Sequence, residues 1–298
     1  MRQLIIRITE KLYHRPSCLF LAVYCGAAFL CILNLYEIQI KDKGQQNQIS
    51  FLDVGQGDST FIQSSEGHRL MIDAGDLNTQ SADEIKKLIP WYSKRIDVAI
   101  ATHADLDHIG GFTKVLNIFH VGRFLTSPIR TTKSVESDLN ESIEIAGVAT
   151  STISRGARIT LGTSGIFIDI LYPSQFMKIN SDKDTNLFSI VAMVSIASST
   201  NPASIKKFVL TGDAPQESEL MMVKQGDDLR ADVLKAGHHG SRTSTSQEFL
   251  DAIRPSSAII SAGLRNKYGH PHVEVIEKLK NENVRILETS KLGTITLY

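Results

Sequence analysis

The stretch Ile96-Asp-Val-Ala-Ile-Ala-Thr-His-Ala-Asp-Leu-Asp-His-Ile-Gly-Gly111 decides how the rest of the chain is read. Residues 96–102 form a nearly continuous apolar run, the mark of a strand buried on both faces. Helical spacing follows over 107–119. Between them lie His103, Asp105, Asp107 and His108, all imidazoles or carboxylates. A single aspartate before a helix is ordinary capping chemistry. Four ligand-type side chains ending in Gly-Gly are more than a cap needs. A turn of this kind sends side chains in two directions and can serve two metal ions. Imidazole with carboxylate suits Zn, Mn or Fe.

Polar groups recur where other apolar runs stop. Asp213 follows KFVLTG, His238 and His239 follow DVLKAG, and Tyr268, Gly269 and His270 follow SAIISAG. Layered α/β folds build their sites at such strand ends. Strands are expected at 48–54, 59–63, 68–74, 96–102, 166–172, 188–197, 207–212, 232–237 and 257–263, with VRILET and GTITLY as two more near the end. Helices are expected at 79–93, 107–119, 215–225, 245–253 and 272–281. The polar stretch 127–156 yields no assignment. The body is therefore an α/β layered domain with two sheets' worth of strands.

Working outward to the N-terminus, residues 18–36 read CLFLAVYCGAAFLCILNLY and carry no charge. That length is enough to cross a hydrocarbon core as a helix. No A-x-A cleavage site follows it, which favours an uncleaved anchor over a signal peptide. Arg2, Arg7, Lys11 and Arg15 precede the run, against Lys41 and Lys43 after it. The positive-inside rule then puts residues 1–17 in the cytoplasm and the body outside. Residues 37–47 read as a polar linker, and 48–298 as the catalytic domain.

The 298 residues carry 32 Lys+Arg and 32 Asp+Glu. Removing the four basic residues and Glu10 of the first 36 leaves 28 and 31, a net charge of −3 on the body. A dedicated nucleic-acid binder shows a basic surplus, which is absent here. The three cysteines, Cys18, Cys25 and Cys31, all fall in the apolar run, so the body has no disulfide framework and no thiolate metal site.

The pattern H-x-D-x-D-H-x-G-G resembles the metal motif of the metallo-β-lactamase superfamily. FLDVGQGDS (51–59), IDAG (72–75), TNLFSIV (185–191), LTGD, LKAGHHGS (234–241) and NKYGHP (266–271) resemble its ComEC branch, the soluble domains of DNA-internalisation proteins and their stand-alone relatives. The resemblance implies an αββα sandwich, preceded here by one transmembrane helix, with two divalent ions (Zn or Mn) at one edge. It implies metal ligation by His103, Asp105, Asp107, His108 and Asp213, with Asp213 bridging the two ions, and by His238 or His239, of which His238 is favoured. Catalytic roles fall to Asp105, aligning a water, and to His239 and His270, the last toward a phosphate oxygen or as general acid. Asp58, Asn186, Ser241 and Tyr268 are expected near substrate. The favoured reaction is phosphodiester hydrolysis, on small phosphodiesters or nucleic acid. Amide or ester hydrolysis and a non-catalytic module are the alternatives. A middle histidine ligand has no clear counterpart, since only His120 lies between His108 and His238. A single apolar span stands where full competence proteins carry a polytopic channel, so DNA translocation by this chain alone is not expected.

Overall fold

The structure, a computed structural model, describes residues 20, 23–34, 46–78, 80–129, 133–177 and 185–298. The chain divides into two compact units, Met1–Gln45 and Gln46–Tyr298. In the first, Phe20 and residues 23–34 are helical and exposed. Among the described residues no helix is long and apolar enough to cross a membrane. The remainder of the 18–36 span, all of 1–17 and most of the 37–47 linker lie outside the described residues.

The second unit begins with three antiparallel strands, β1 (Gln48–Phe51), β2 (Thr60–Gln63) and β3 (Arg69–Ile72). Helix α1 (Ser81–Leu88) then leads to β4 (Arg95–Ala101). Short helices α2 (Leu106–Ile109) and α3 (Phe112–Ile118) lead to β5 (His120–Thr126), and α4 (Ser134–Ile145) leads to β6 (Ala149–Thr152). A second run of strands follows as β7 (Arg158–Thr160), β8 (Ile166–Tyr172), β9 (Val191–Ala197) and β10 (Ile205–Leu210). Helix α5 (Gln216–Lys224), β11 (Val233–Lys235), α6 (Gln247–Ile253), β12 (Ser257–Ile260), α7 (Val273–Asn281), β13 (Arg285–Glu288), α8 (Thr289–Leu292) and β14 (Ile295–Leu297) complete it.

The strands form two seven-stranded sheets, ordered β14-β1-β2-β3-β4-β5-β6 and β13-β12-β11-β10-β9-β8-β7. Each is antiparallel in its first half by sequence and parallel where helices cross over, at β3 to β6 and β10 to β13. Alternation sorts the side chains into three apolar layers. Ile49, Phe51, Ile62, Leu70, Ile72 and Ile100 meet Ile168, Ile170, Val194, Phe208 and Ile259 between the sheets. Phe61, Met71 and Phe124 face the other way, onto Ile85, Phe112 and Val115 of the first helix layer. Val209, Leu234 and Ile260 do the same toward Phe249, Leu250, Val275 and Leu279. The order of layers is helix, sheet, sheet, helix, as the resemblance implies.

Two local readings need correction. The helix expected over 107–119 is split at Gly110-Gly111. The carbonyl of Asp107 accepts from the Asp58 amide (3.1 Å), and Gly111 N donates to the Gly75 carbonyl (2.9 Å). Loops docking on the turn thus take the hydrogen bonds that a continuous helix would use. The unassigned stretch contains α4 and β6, and neighbouring β5 and β7 were also unassigned. Val121, Phe124 and Leu125 of β5 are buried, but Gly122 and Arg123 interrupt the alternation.

Candidate metal centre

Both sheets end at one edge. The loop after β1 brings Asp58, and the segments that leave β3, β4, β10, β11 and β12 bring Asp73, His103, Asp213, His239 and Ser261. Asp58, His108, Asp213 and His239 each offer a ligand atom within 4.8 Å of the others, and all four are buried. His108 Nε2 lies 3.1 Å from Asp213 Oδ1, and His239 Nε2 lies 3.6 Å from Asp213 Oδ2. Asp107 adjoins, with Oδ2 3.2 Å from His239 Nε2, and His103 Nε2 lies 4.0 Å from Asp213 Oδ2.

The outer nitrogens of these rings are already engaged. His108 Nδ1 donates to Asp73 Oδ2 (2.8 Å). The Thr102 hydroxyl also donates to Asp73 Oδ2 (2.7 Å), so its oxygen accepts from His103 Nδ1 (3.0 Å). His239 Nδ1 donates to the Ser261 carbonyl (2.9 Å), with Asp58 Oδ1 at 3.2 Å. Each ring therefore turns its Nε2 toward the cluster. Nε2 of His103, His108 and His239 and Oδ1 of Asp213 are buried without a hydrogen-bond partner. Buried polar atoms left in this state call for a ligand, and imidazole plus carboxylate is a donor set for a divalent cation. The residues present fit such an ion.

The electrostatics agree. Burial alone would lower the pKa of His239, but the Asp213 and Asp58 carboxylates raise it to about 10. Burial is likewise outweighed at His108, where Asp213 and Asp73 hold the pKa well above its usual value. Burial would raise Asp213, but His108 and His239 hold it well below the carboxylate range. His103 goes down, through burial and the adjacent His108. Without a cation, the carboxylates at the centre keep protons on two rings.

The other expected residues fall in different places. Asp105 points to Lys133 Nζ and Thr185 Oγ1, an ion pair outside the cluster. His238 stands at the rim, Nε2 3.7 Å from Asp213 Oδ2, with its side chain 28% exposed against 1% for His239. Strand-like alternation does not separate this pair. His238 and His239 both have positive φ, 49° and 55°, in a tight turn that drives His239 inward. The structure thus puts His239 in the cluster where the sequence favours His238. Asp58, expected near substrate or, in place of a middle histidine, near one metal, lies inside the cluster. Ser241 is buried, its hydroxyl bonded to Thr243 Oγ1 (3.0 Å), which in turn meets His238 Nδ1 (3.1 Å). It shapes the turn rather than facing the site. Asn186 lies half-buried in the 3-10 turn before β9, its carbonyl accepting from Ser189 N. His120 is exposed at the start of β5, the edge opposite the site.

His270 flanks the centre, its ring 5.5 Å from His238 and 6.0 Å from His239. Asn266 clamps it, accepting from His270 N (2.9 Å) and donating to its carbonyl (2.6 Å). Burial, with His239 and His238 nearby, lowers its pKa to about 4. It is a neutral imidazole at pH 7 and can offer an N–H to a substrate oxygen, rather than an imidazolium acid. Tyr268, 52% exposed, stacks on it at 5.6 Å. One residue that sequence reasoning missed is Lys235, the last of β11. It is buried beside the cluster with Nζ 2.5 Å from Asp58 Oδ2. A lysine closing an apolar strand directly before Ala236-Gly237-His238-His239 was the available signal.

Two sheets lie between two helical layers, with a histidine–aspartate cluster at their common strand ends. Residues 52–147 match the family model described as Metallo-beta-lactamase superfamily. Most of the chain is also similar to curated bacterial proteins. The chain is 30% identical over 266 residues to ComE operon protein 3 of Bacillus subtilis (strain 168), covering 84% of this chain and 33% of the relative. It is 28% identical over 273 residues to Recombination protein 2 of Haemophilus influenzae, covering 91% and 31%. The chain thus spans about a third of the length of these curated relatives. Among solved structures, the metallo-β-lactamase-fold protein YhfI from Bacillus subtilis superposes with a TM-score of 0.53 at 10% identity, covering 84% of this chain and 99% of that one. That likeness is one of fold.

Proposed function

We propose that the chain is a divalent-metal-dependent hydrolase of phosphodiester bonds, carried on a membrane anchor at 18–36 with its catalytic domain outside the cytoplasm. The observation that carries the hydrolase reading is the set of buried, unpartnered Nε2 atoms facing Asp213, each ring held from behind. Asp58, His108, Asp213 and His239 are the residues that would hold an ion, and His103 and Asp107 adjoin for a second. A divalent ion of the Zn or Mn type held there would supply Lewis acidity and lower the pKa of a water. Asp73 keeps His108 and, through Thr102, His103 in the tautomer that presents Nε2 inward. His270, neutral and clamped by Asn266, donates toward an oxygen of the substrate at the rim. Tyr268 offers it an exposed ring face. The similarity to a protein named for recombination supports a phosphodiester, with nucleic acid as one candidate. The anchor and its direction rest on the uncharged run and on the four cationic residues before it.

The test is activity on bis(p-nitrophenyl) phosphate with elemental analysis of the same protein. Chelated protein should lose turnover and regain it with added Mn or Zn. Asp213→Ala should lose both bound metal and activity. Full activity in metal-free protein would sink the hydrolase mechanism. Cleavage of a β-lactam with none of a phosphodiester would replace the substrate class.

A further inference from the structure

The parallel strands that carry the site at their C-terminal ends begin at the opposite edge of the domain. That edge holds the loop before β4, with Trp91 86% exposed beside Tyr92, Lys94 and Arg95. It holds the end of α4, where Ile145 is 77% exposed before the chain turns into β6. On the other sheet it holds the start of β10, where Ile205 is exposed beside Lys206 and Lys207. The domain's first residues, Gln46 and Asn47, are on this edge too. Asn47 Nδ2 donates there to the carbonyls of Ser164 and Ala197.

The geometry points to this edge as a lipid-facing surface, so that the metal centre is presented away from the membrane. A bare indole at a loop tip is a poor arrangement in water. Tryptophan and tyrosine rings gain at the boundary between headgroups and acyl chains, where an apolar body meets a wet rim. Lysine and arginine beside them keep their charges among anionic headgroups while their stems lie on apolar material. Asp97 on this edge is bonded to Arg95 (2.7 Å) and near His68 (3.7 Å), and Asp228 lies 3.5 Å from Lys207 Nζ. The occupant is a bilayer containing anionic lipid. The same chain supplies the reason for one to be near, since it enters the domain on this edge from the segment that bears the apolar run. In that respect the inference rests on the proposed anchor, though not on the hydrolase reading.

Trp91 is the chain's single tryptophan, so its fluorescence reports on this loop alone. The full chain is reconstituted into vesicles of phosphatidylcholine and phosphatidylglycerol, with and without brominated acyl chains, and recovered by flotation. Trp91 emission should shift to shorter wavelength on reconstitution and be quenched by the brominated lipid. A second chain, Trp91→Phe with Leu264→Trp, places the probe at an exposed position in the loop between β12 and His270. Its emission should stay unquenched. Flotation without quenching of Trp91 would overturn the lipid-facing edge and leave the anchor standing. Equal quenching of both probes would overturn the orientation. Failure to float would overturn edge and anchor together.

Discussion

Two acids, Asp73 and Asp58, decide which nitrogen each central histidine offers. Asp73 accepts from the Thr102 amide, the Thr102 hydroxyl and His108 Nδ1, although its own φ of 57° is in the left-handed region. A non-glycine residue held there shows that the surroundings over-determine its position. Asp58 with the Ser261 carbonyl does the corresponding work for His239. The raised pKa of His239 then links pH to folding. Its folded value of about 10 exceeds the unfolded value of about 6.5. The stabilisation is fully present below about 6.5 and is lost as pH rises through about 10. Chelated protein should therefore melt at progressively lower temperature across this window, followed by circular dichroism. His239→Asn in the same buffer should make that slope shallower, leaving the part that His108 contributes. A chelated wild type whose melting point is flat or rising over the window would contradict the ion pairing described for Asp213 and Asp58.

At the scale of elements, the site depends on loops that close onto the short helix α2. Gly57 has φ of 121°, and a Cβ there would lie 2.2 Å from the Asp107 carbonyl oxygen. No side chain fits, because the Asp58 amide bonds to that same carbonyl. Gly55, two residues earlier, also has positive φ but has open space where its Cβ would go. Gly55→Ala thus carries only backbone strain, of order 1–3 kcal/mol. Gly57→Ala adds a clash that must push Asp58 away from Asp107. Metal content and turnover should fall much further in Gly57→Ala than in Gly55→Ala, read by elemental analysis and phosphodiesterase assay. Comparable losses would mean that the close approach is not what sets the site. These loops also mark the limit of what the sequence discloses. The strand ends and the histidine–aspartate turn were legible, because a buried parallel strand is one apolar run and its polar stop is abrupt. His239 over His238 was not, since two consecutive positive-φ residues break the alternation on which such a choice rests. Neither was the Asp105–Lys133 pair, whose members are separated by 28 residues. Strand β5 was hidden by Gly122 and Arg123, whose place on the pleat is fixed by neighbours and not by local pattern.

Across the whole molecule, the centre forms where two separately built sheets end at one edge, and a lysine–aspartate pair is one of the buried contacts between them. Asp58 comes from the β1–β2 loop of the first sheet, Lys235 from β11 of the second, and their side chains are 6% and 3% exposed. Lys235 also donates to the Ala236 carbonyl (3.1 Å). Burial would raise the pKa of Asp58, but Lys235 and then His239 keep it below its usual value. This matters to the site because Lys235 stands beside Asp58 on the side away from the His239 contact, Nζ against Oδ2 where His239 Nδ1 meets Oδ1. Removing one partner of a buried pair leaves the other charge uncompensated, at a cost of about 3–5 kcal/mol. Replacing both by neutral groups of similar shape costs far less. Lys235→Met should therefore destabilise the chelated protein by roughly that amount in urea denaturation. Adding Asp58→Asn to Lys235→Met should recover much of the loss. The metal-free state is the one to measure, since Asp58 also belongs to the ion-binding cluster. If the double variant is less stable than Lys235→Met by the full cost of Asp58→Asn alone, the two residues are independent, and the sheets are joined at the site by something other than this pair.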